Sequence, residues 1–579
     1  MDEKTRVYLW YAWIQCRIIW TFFLEEDAKN PESTLKLKFW SDISNYYPNR
    51  WLKVYKPTWE ALKEIINYID PINLESHVEK YWSSAKVKLG NIRYASTNRK
   101  YQDIDEVPVN IYPADLLSQK TALFGMTRTG KSNTTKIIAK SVYELRYPKV
   151  NEWTPLRIGQ IIFDPNWEYA NENIQDKDWN NNPNALKNIW EINKSIKKDD
   201  EVVTYWLTWH PNDPDRKLML LNFFTEENLN IWKEIIDTLF SKDDPTYLKN
   251  FQQVNFEKPE DATDRSALTR YNRRLLAYRS ILSRAWFQMP VSLKAVTTGL
   301  FNAKLIESLQ NYEWDNQIEY NSAAKIFSQP NPTWWQISDA FESLDKFIRD
   351  RSSGYNDFES WYVNDKPGCS WDRWADEDFK KLIWIYQYSN WIRRIGKMIV
   401  QHTSSTSTDY ADDIYNSLVQ WKLVIIDQSS WDPELNKSSA KRITTKIFKE
   451  NQKKFTLWDT KIPEILVYVE EAHNILPAWN DLDLSDIWVR VAKEWSKYRL
   501  GMVYATQEVS SIQKNILKNT ANWFISHLNN TDETKELCKY YDFADFEPSI
   551  RRAQDKWFLR VKTLSNLFVV PVQVDKFVI

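Results

Sequence analysis

The stretch Leu123-Phe-Gly-Met-Thr-Arg-Thr-Gly-Lys-Ser132 fits the pattern G-x-x-x-x-G-K-[ST], which cradles the phosphates of a nucleoside triphosphate. Its glycines allow backbone N–H groups to turn toward the α- and β-phosphates. Lys131 is placed to reach the β- and γ-phosphates, and the Ser132 hydroxyl to reach Mg²⁺. The pattern therefore predicts a site for ATP and Mg²⁺ formed by consecutive residues: Gly125, Met126, Thr127, Arg128, Thr129, Gly130, Lys131, Ser132 and Asn133.

This pattern is informative only when a strand precedes the loop and a helix follows it. Residues 121–124 form a short apolar run. Residues 132–145 carry apolar side chains at helical spacing, namely Ile137, Ile138, Val142 and Leu145. The required strand, loop and helix are therefore predicted around the motif.

From about residue 116, strand-like and helix-like segments alternate, which is typical of an α/β fold with a parallel sheet. The predicted strands are short and apolar, and each ends near polar residues: 121–124, 157–164, 422–427, 464–469 and 500–506. Active groups of such sheets gather at the carboxyl ends of the strands. Asp164, Asp427, Glu470 and Gln507 stand at these ends.

Two adjacent carboxylates, Glu470 and Glu471, follow the apolar run 464–469. Phosphoryl transfer depends chiefly on positioning and on charge stabilisation. We expect Glu470 to hold Mg²⁺ together with Ser132, directly or through water. We expect Glu471 to polarise the water that attacks the γ-phosphate, which makes it a catalytic residue beside Lys131.

Three further polar residues at strand ends have alternative interpretations. Gln507 is predicted as a catalytic residue that senses the γ-phosphate through its amide, and the alternative is an ordinary loop glutamine. Asp164 and Asp427 could bind water of the metal's outer shell or cap the segments that follow them.

Arg490 and Arg499 are the first two arginines that follow Glu470 and Glu471 in the sequence. Motors of this chemistry often complete the site with an arginine finger from a neighbouring subunit. Both arginines are therefore candidate catalytic residues. His473 is predicted to relay hydrogen bonds to neighbouring segments rather than to act as a base.

The composition indicates a globular protein of several domains, because 579 residues are 43% hydrophobic. Lys plus Arg (77) nearly balances Asp plus Glu (78), so any contact with DNA must be local, for example through pore loops of an assembly. Three separated cysteines fit no metal or disulfide spacing, which favours a cytoplasmic location. Gln15 and Arg17 interrupt the apolar segment 7–24, so no membrane helix is expected there.

Four domains are predicted along the chain. Residues 1–115 show short β-rich runs with one helix over 59–69, which suggests a small N-terminal β-barrel. Residues 116–219 and 416–579 form the two parts of the core, the second with a C-terminal β segment. Residues 220–415 form a helical insertion whose Trp334-Trp335 pair and arginines could touch nucleic acid or simply line a solvated helix face: Arg270, Arg273, Arg274 and Arg279.

The chain has 9 glycines and 31 tryptophans. Ordinary usage predicts about 40 glycines in a chain of this length. Several tryptophans also stand in turn sequences that favour glycine: Trp167, Trp431, Trp495 and Trp557. We hypothesise that UGA, a glycine codon in some genetic codes, has been read as tryptophan. The alternative is a tryptophan-rich protein whose rings fill cores or stack on single strands.

Four segments together resemble HerA-like ATPases of the FtsK/HerA superfamily: Phe124–Thr134, Asp164–Tyr169, Val469–Pro477 and Gly501–Gln507. Residues 524–529, which include His527, resemble a later segment of that family. The resemblance covers roughly residues 1–170 and 415–579.

The resemblance implies an N-terminal barrel, a RecA-like P-loop NTPase core, and a homo-hexameric ring that translocates on double-stranded DNA. It also implies work beside a nuclease or a defence effector. The chain departs from the family pattern at four positions. The metal carboxylate is usually aspartate but is Glu470 here, Trp167 stands at a family glycine, and Trp495-Ser496 replace Gly-Arg, which weakens the finger assignment.

Two other functions fit the same motifs. A nucleotide-gated switch or assembly ATPase would act on protein partners, hydrolyse ATP slowly and ignore DNA. An aromatic-rich scaffold for nucleic acid would carry a degenerate ATP site, but Lys131 and Glu471 are both present and argue against it.

Overall fold

The computed structural model describes most of the chain, in the following ranges: 21–25, 36–40, 57–81, 85–93, 106–147, 155–170, 185–193, 195–206, 215–226, 229–237, 240, 244–259, 261, 263–313, 315–350, 353–367, 371–405, 409–429, 433–459, 461–478, 488, 490, 494–566 and 568–579. These residues divide into two compact units. Unit 1 falls within Met1–Arg157, Pro477–Asp481 and Gly501–Val578, and unit 2 within Ile158–Leu476 and Leu482–Leu500. The four predicted domains group the residues differently and stay predictions.

The described strands are β1 Thr21–Glu25, β2 Lys36–Trp40, β3 Val87–Ile92, β4 Pro108–Ile111, β5 Lys120–Phe124, β6 Gly159–Asp164, β7 Val202–Trp206, β8 Lys217–Leu218, β9 Leu423–Asp427, β10 Ile465–Val469, β11 Leu500–Thr506, β12 Asn522–Ile525, β13 Phe558–Lys562 and β14 Val570–Val574.

The described α-helices are α1 Trp59–Ile66, α2 Pro71–Tyr81, α3 Lys131–Glu144, α4 Lys198–Glu201, α5 Leu229–Asp237, α6 Thr246–Gln252, α7 Arg265–Arg284, α8 Ala303–Gln310, α9 Gln317–Ser328, α10 Trp334–Arg349, α11 Tyr355–Asn364, α12 Glu377–Ile383, α13 Asn390–Ile395, α14 Tyr410–Val419, α15 Pro433–Thr456, α16 Lys514–Lys518, α17 Thr531–Cys538 and α18 Glu547–Arg552. Short 3₁₀ helices lie at Pro113–Leu116, Leu186–Ile192, Trp384–Gln387, Gly396–Gln401, Ala472–Asn474, Trp495–Tyr498 and Ala544–Phe546.

The sheet of unit 1 has the strand order β4-β3-β14-β13-β12-β5-β11. Strand β5 lies between β11 and β12 and runs parallel to both. The strands from β12 through β13 and β14 to β3 and β4 pair antiparallel. The phosphate loop therefore leaves a strand that has a parallel neighbour on each side.

In unit 2 the strand order is β10-β6-β9-β7-β8, and every pair is parallel. Strands β6, β9 and β10 are buried along their whole length. Parallel strands covered on both faces are expected to be nearly continuous apolar runs, as these are. The α/β class and the dominance of parallel pairing are confirmed.

The five strands predicted for the core are all present, as β5, β6, β9, β10 and β11. The helix predicted after the phosphate loop is α3. Within the described residues, α1 is shorter than predicted and α2 was not predicted at all. Tyr81 at the end of α2 is buried and donates its hydroxyl to Leu117 O at 3.1 Å.

The N-terminal barrel stays a prediction. Strands β1 and β2 form an antiparallel pair. Strands β3 and β4 were predicted as parts of the barrel, but they lie in the sheet of unit 1, where β3 pairs with β14. The run 52–55 lies outside the described residues.

Between Leu229 and Gln401 the regular elements that the structure describes are helices, as predicted for the insertion. Its arginines are engaged within the protein. Arg273 is buried beside the ring of Trp374, Arg270 pairs with Asp372, and Arg274 pairs with Asp378. Arg279 donates to Phe224 O at 2.9 Å. These contacts give the arginines a structural role and contradict a solvated helix face.

Among the helices that the structure describes, none combines the length and the apolar character that a membrane span requires.

Candidate nucleotide site

The phosphate loop in unit 1 connects β5 to α3 and is anchored at its first residues by the two neighbouring strands. The N–H of Gly125 donates to Thr506 O at 3.2 Å, and the N–H of Met126 donates to His527 O at 3.0 Å. Thr506 ends β11, and His527 follows β12. The loop is therefore held at its start from both sides.

Lys131 and Ser132 open helix α3, where the first N–H groups have no intrahelical partner. The Lys131 ammonium donates to the carbonyls of Gly125 at 2.6 Å and Met126 at 3.2 Å. These carbonyls belong to the loop itself, so the ammonium lies within the turn where phosphate oxygens are expected. The helix N-terminus adds positive electrostatic potential at the same place.

The middle of the loop is more open. Thr127 and Arg128 are exposed, and Arg128 adopts a φ of 65°. Gly130 has a φ of 102°, a conformation that side chains rarely allow. Thr129 is buried, and its hydroxyl donates to Met126 O at 2.7 Å. Asn133 lies on the first turn of α3, and its amide donates to Asp575 O at 2.9 Å.

Ser526 packs against the loop from the end of β12, which sequence reasoning missed. Its hydroxyl donates to Thr129 Oγ1 at 2.7 Å. A Cβ atom added to Gly125 would lie 1.8 Å from Ser526 Oγ, so the close approach requires glycine at position 125. The contact spans about 400 residues of sequence, and no local pattern could have indicated it.

Gln507 follows β11 directly in unit 1 and is half-buried. Thr506 is the register partner of Phe124, the last residue of β5. The structure therefore places Gln507 and the phosphate loop at the carboxyl ends of adjacent strands of one unit, as the sequence predicts. His527 occupies the same level on the other side of β5, and its ring contacts Ile550 O at 2.9 Å and Asn529.

The carboxylate pair lies in unit 2, at the carboxyl end of β10. Glu470 is buried and accepts a short hydrogen bond from the Tyr169 hydroxyl. Glu471 has a φ of 46°, in the left-handed region, so the backbone turns sharply between the two carboxylates. His473 Nδ1 lies 3.4 Å from Glu471 Oε2. Strained backbone of this kind clusters at functional sites.

Asp164 organises the loop after β6. Its fully buried carboxylate accepts backbone N–H bonds from Asn166, Glu168, Tyr169 and Ala170, at 2.9–3.3 Å. Burial raises the pKa of Asp164 to about 6, while these N–H donors act in the opposite direction. The contacts support the capping interpretation of Asp164, and they hold Tyr169 where it meets Glu470.

Asp427 is the register partner of Asp164 on the adjacent strand β9. It is buried and forms an ion pair with Arg216. Arg216 also donates to Ala170 O at 3.1 Å. Through Arg216, Asp427 therefore also helps to hold the loop that follows β6. The sequence did not indicate Arg216.

The two candidate finger arginines are not close to the carboxylates along β10. Arg499 O accepts the N–H of Ile465, so Arg499 lies at the amino end of β10, about 16 Å from the end that carries Glu470. Arg490 is exposed, with its guanidinium 5.6 Å from the centre of the Phe448 ring. A role toward a neighbouring subunit stays a prediction for both.

The donor set fits ATP with Mg²⁺. Among the described residues no group of three or more His, Cys, Asp or Glu side chains could hold a metal alone. Mg²⁺ is usually bound by one or two carboxylates plus substrate phosphates and keeps several waters. The Ser132 hydroxyl and the Glu470 carboxylate are oxygen ligands of the kind that Mg²⁺ takes.

One known protein family matches part of the chain. Residues 87–366 match the family described as "Helicase HerA, central domain". Just under half of the chain is therefore similar to the central domain of HerA. The matched segment contains the phosphate loop and much of the helical insertion, and it ends before Glu470.

Several solved structures are also similar, at low identity. VirB4 of Thermoanaerobacter pseudethanolicus is 11% identical over 85% of this chain and 97% of its own, with a TM-score of 0.39. The bacterial conjugative coupling protein TrwB is 10% identical over 86% and 97%, with a TM-score of 0.35. The genome packaging NTPase B204 of Sulfolobus turreted icosahedral virus 2 is 11% identical over 28% and 71%, with a TM-score of 0.22. None of the curated proteins compared matches the chain.

Proposed function

We propose that this HerA-like chain is an ATP-hydrolysing translocase or helicase that moves on double-stranded DNA as a homo-hexamer. The observation that carries the proposal is the HerA central-domain match over a phosphate loop held between two parallel strands. The proposal includes a cytoplasmic location and a nuclease or defence effector as partner.

Each predicted group has a task in hydrolysis. Residues 125–133 bind the phosphates through backbone N–H groups, and Lys131 exchanges its bonds to the loop carbonyls for phosphate oxygens. Glu471 orients and polarises the attacking water, and Gln507 contacts the γ-phosphate. Ser132 and Glu470 would hold Mg²⁺, which would supply positive charge to stabilise the phosphates during transfer.

The composition supports local contacts with DNA rather than a general attraction, because the net charge is −1. A hexameric ring would concentrate a few basic residues of each subunit around a central channel. Arg490 or Arg499 would then complete the site of the next subunit as a finger.

The test is the rate of ATP hydrolysis with and without double-stranded DNA, over a range of salt concentrations. We expect stimulation by DNA that weakens as salt rises, because phosphate contacts release counterions. Lys131→Ala should abolish hydrolysis. Lys140→Ala, on the same helix, is the matched control, because Lys140 bonds Val578 O rather than the loop.

A hydrolysis rate that DNA leaves unchanged at every salt concentration would contradict translocation. Slow hydrolysis that DNA does not stimulate would instead support a nucleotide-gated switch that acts on protein partners. The mass of the assembled particle in solution tests the hexamer independently.

A further inference from the structure

Eleven described residues other than glycine have a positive φ, and six of them are tryptophans: Trp167, Trp286, Trp371, Trp421, Trp458 and Trp557. Their φ angles lie between 56° and 69°. Glycine adopts this left-handed conformation freely, whereas a bulky side chain there is a genuine outlier. Tryptophan therefore occupies most of the left-handed positions at which a side chain stands.

Three of the six tryptophans terminate helices in the same way. Each is the second residue after a helix end, and its N–H and the next N–H bond carbonyls of the last turn in the pattern of a Schellman motif. Glycine is strongly enriched at this position. After α7 the N–H of Trp286 donates to Ser283 O and the N–H of Phe287 to Leu282 O. After α14 the N–H of Trp421 donates to Leu418 O and the N–H of Lys422 to Ser417 O. After α15 the N–H of Trp458 donates to Phe455 O and the N–H of Asp459 to Lys454 O, and all six distances are 2.9–3.1 Å.

Trp167 lies in the loop whose N–H groups bond the carboxylate of Asp164. Five of the six left-handed tryptophans have side chains that are 42–92% exposed, and Trp557 is half-buried. Burial therefore does little to offset the backbone strain. Each such residue costs a factor of roughly 5–30 in the folding equilibrium, and six together approach the net stability of a whole domain.

Other tryptophans have buried side chains that pack in the core, as expected of tryptophan. Trp374 is buried beneath the guanidinium of Arg273, 4.1 Å away, and Trp523 is buried and stacks on Phe124. Trp495, in a 3₁₀ helix, is buried and does not have a positive φ, so its backbone does not require glycine. The structure thus separates tryptophans that fill the core from tryptophans that occupy glycine conformations.

Trp557 links this pattern to the nucleotide site. Its N–H donates to Thr129 O at 2.8 Å, and its carbonyl accepts the N–H of Val574 at 2.8 Å, so the turn before β13 lies on the phosphate loop. Its indole lies against Gly130, where an added Cβ would be 2.2 Å from the Trp557 ring. The ring therefore occupies space beside the glycine that must face the phosphates.

We propose that the six left-handed tryptophans stand at positions that are glycine in the protein as its own cells make it, and that glycine at position 557 leaves the phosphate loop open to ATP. UGA translated as glycine at the source would produce such a protein. The count of 9 glycines beside 31 tryptophans fits this origin. The statement about position 557 rests on the proposed nucleotide site, whereas the other five positions do not.

The direct test is mass spectrometry of peptides from the protein purified from its own source. We expect glycine at all six positions. Tryptophan at any of them would overturn the proposal.

A second test uses recombinant protein with tryptophan at every printed position. Trp421→Gly and Trp335→Gly make the same change at side chains that are 42% and 43% exposed, but only Trp421 has a positive φ. Glycine loses more conformational freedom on folding, which offsets part of the strain relieved, so we expect Trp421→Gly to raise the folding equilibrium constant about two- to fivefold. Trp335→Gly, within α10, should lower it. A loss of stability in Trp421→Gly equal to that in Trp335→Gly would contradict the proposal.

A third test measures binding of a fluorescent ATP analogue to Trp557→Gly, with Trp371→Gly as the control in unit 2. We expect at least tenfold tighter binding for Trp557→Gly and parent affinity for Trp371→Gly. Unchanged affinity in Trp557→Gly would overturn the assignment at position 557. DNA-independent hydrolysis by a variant that binds tightly would contradict only the proposed translocation.

Discussion

The phosphate loop of unit 1 uses its main chain, whereas the carboxylate end of β10 in unit 2 uses side chains. In the loop, main-chain N–H groups and carbonyls take part in most of the contacts, although Thr129 and Ser526 bond through their hydroxyls, and the approach of Ser526 requires glycine at position 125. At β10, Tyr169 and His473 contact the carboxylates of Glu470 and Glu471. The loop should therefore be sensitive to any added carbon atom, and the carboxylate end to lost charge or lost hydroxyls.

The same difference determines how each region responds to a tryptophan at a left-handed position. A tryptophan at position 557 reaches the loop as bulk against Gly130. In unit 2 the tryptophan at position 167 is about half exposed, and the hydrogen bonds from Tyr169 to Glu470 and from the loop to Asp164 are formed despite it. The two regions thus predict different consequences for the same kind of substitution.

The largest expected effect is on catalysis by Glu471. Glu471→Gln keeps the size of the side chain but removes the charge that polarises water, so the turnover rate should fall about 10²–10⁴-fold. Affinity for ATP should stay within a few-fold of the parent. Steady-state kinetics and nucleotide binding measure both quantities.

Glu450→Gln is the matched control for Glu471→Gln, because Glu450 pairs with Lys446 on α15 and is not part of the site. A parent rate is expected for it. If Glu471→Gln also hydrolyses ATP at the parent rate, another group must activate the water.

The pH dependence of stability should reveal Asp164 in unit 2. Its pKa is raised from 3.8 to about 6 by burial, so folding favours the protonated form. The contribution of Asp164 to the free energy of unfolding should be largest below pH 4 and should be lost as the pH rises through 6. The shift corresponds to roughly 3 kcal/mol.

Asp164→Asn removes this titration, so the difference in unfolding free energy between parent and variant should change between pH 4 and 6.5. Chemical denaturation at several pH values measures it. A difference that is constant over this range would show that Asp164 does not titrate there.

Much of the fold was predictable because buried parallel strands are continuous apolar runs. Strands β5, β6, β9, β10 and β11 lie within two residues of their predicted bounds. The phosphate loop was predictable because its chemistry is local, within ten residues. Glu470, Glu471 and Gln507 followed from their positions after predicted strands.

The supporting contacts could not be predicted, because they join residues that only the sheet order brings together. Tyr169 and Glu470 are 301 positions apart, and Asp427 and Arg216 are 211 apart. Ser526 meets the loop only because β12 pairs with β5. The local sequence around these side chains does not indicate which distant residue each one contacts.

The local sequence also identified only some of the tryptophans that have a positive φ. Turn sequences indicated Trp167 and Trp557, and both have a positive φ. Trp431 lies outside the described residues. Trp286, Trp421 and Trp458 were not indicated, because a helix end is recognised only when the helix itself is placed.

In the phosphate loop, the sensitivity to added carbon can be tested with Gly125→Ala. The new methyl group would collide with Ser526 Oγ and displace its bond to Thr129, at a cost of about 1–3 kcal/mol in overpacking. We expect ATP binding to weaken by roughly tenfold or more. Titration with a fluorescent nucleotide measures the change.

The double variant Gly125→Ala/Ser526→Ala removes the nearest clashing atom, which is the hydroxyl oxygen 1.8 Å from the added Cβ. It should recover part of the lost affinity. Equal affinity in the single and double variants would show that Ser526 does not enforce glycine at position 125.

The smallest expected effect tests the side-chain contacts of unit 2. Tyr169→Phe removes the hydroxyl that donates to the buried Glu470, so the free energy of unfolding should fall by about 1–2 kcal/mol. Tyr468→Phe is the matched control, because the buried Tyr468 on β10 donates to Gln160 at 2.6 Å instead. Both variants should lose similar stability. Only Tyr169→Phe should also raise the Mg²⁺ concentration needed for half-maximal hydrolysis, since only its hydroxyl positions Glu470, and an equal Mg²⁺ requirement in both variants would remove Glu470 from the metal site.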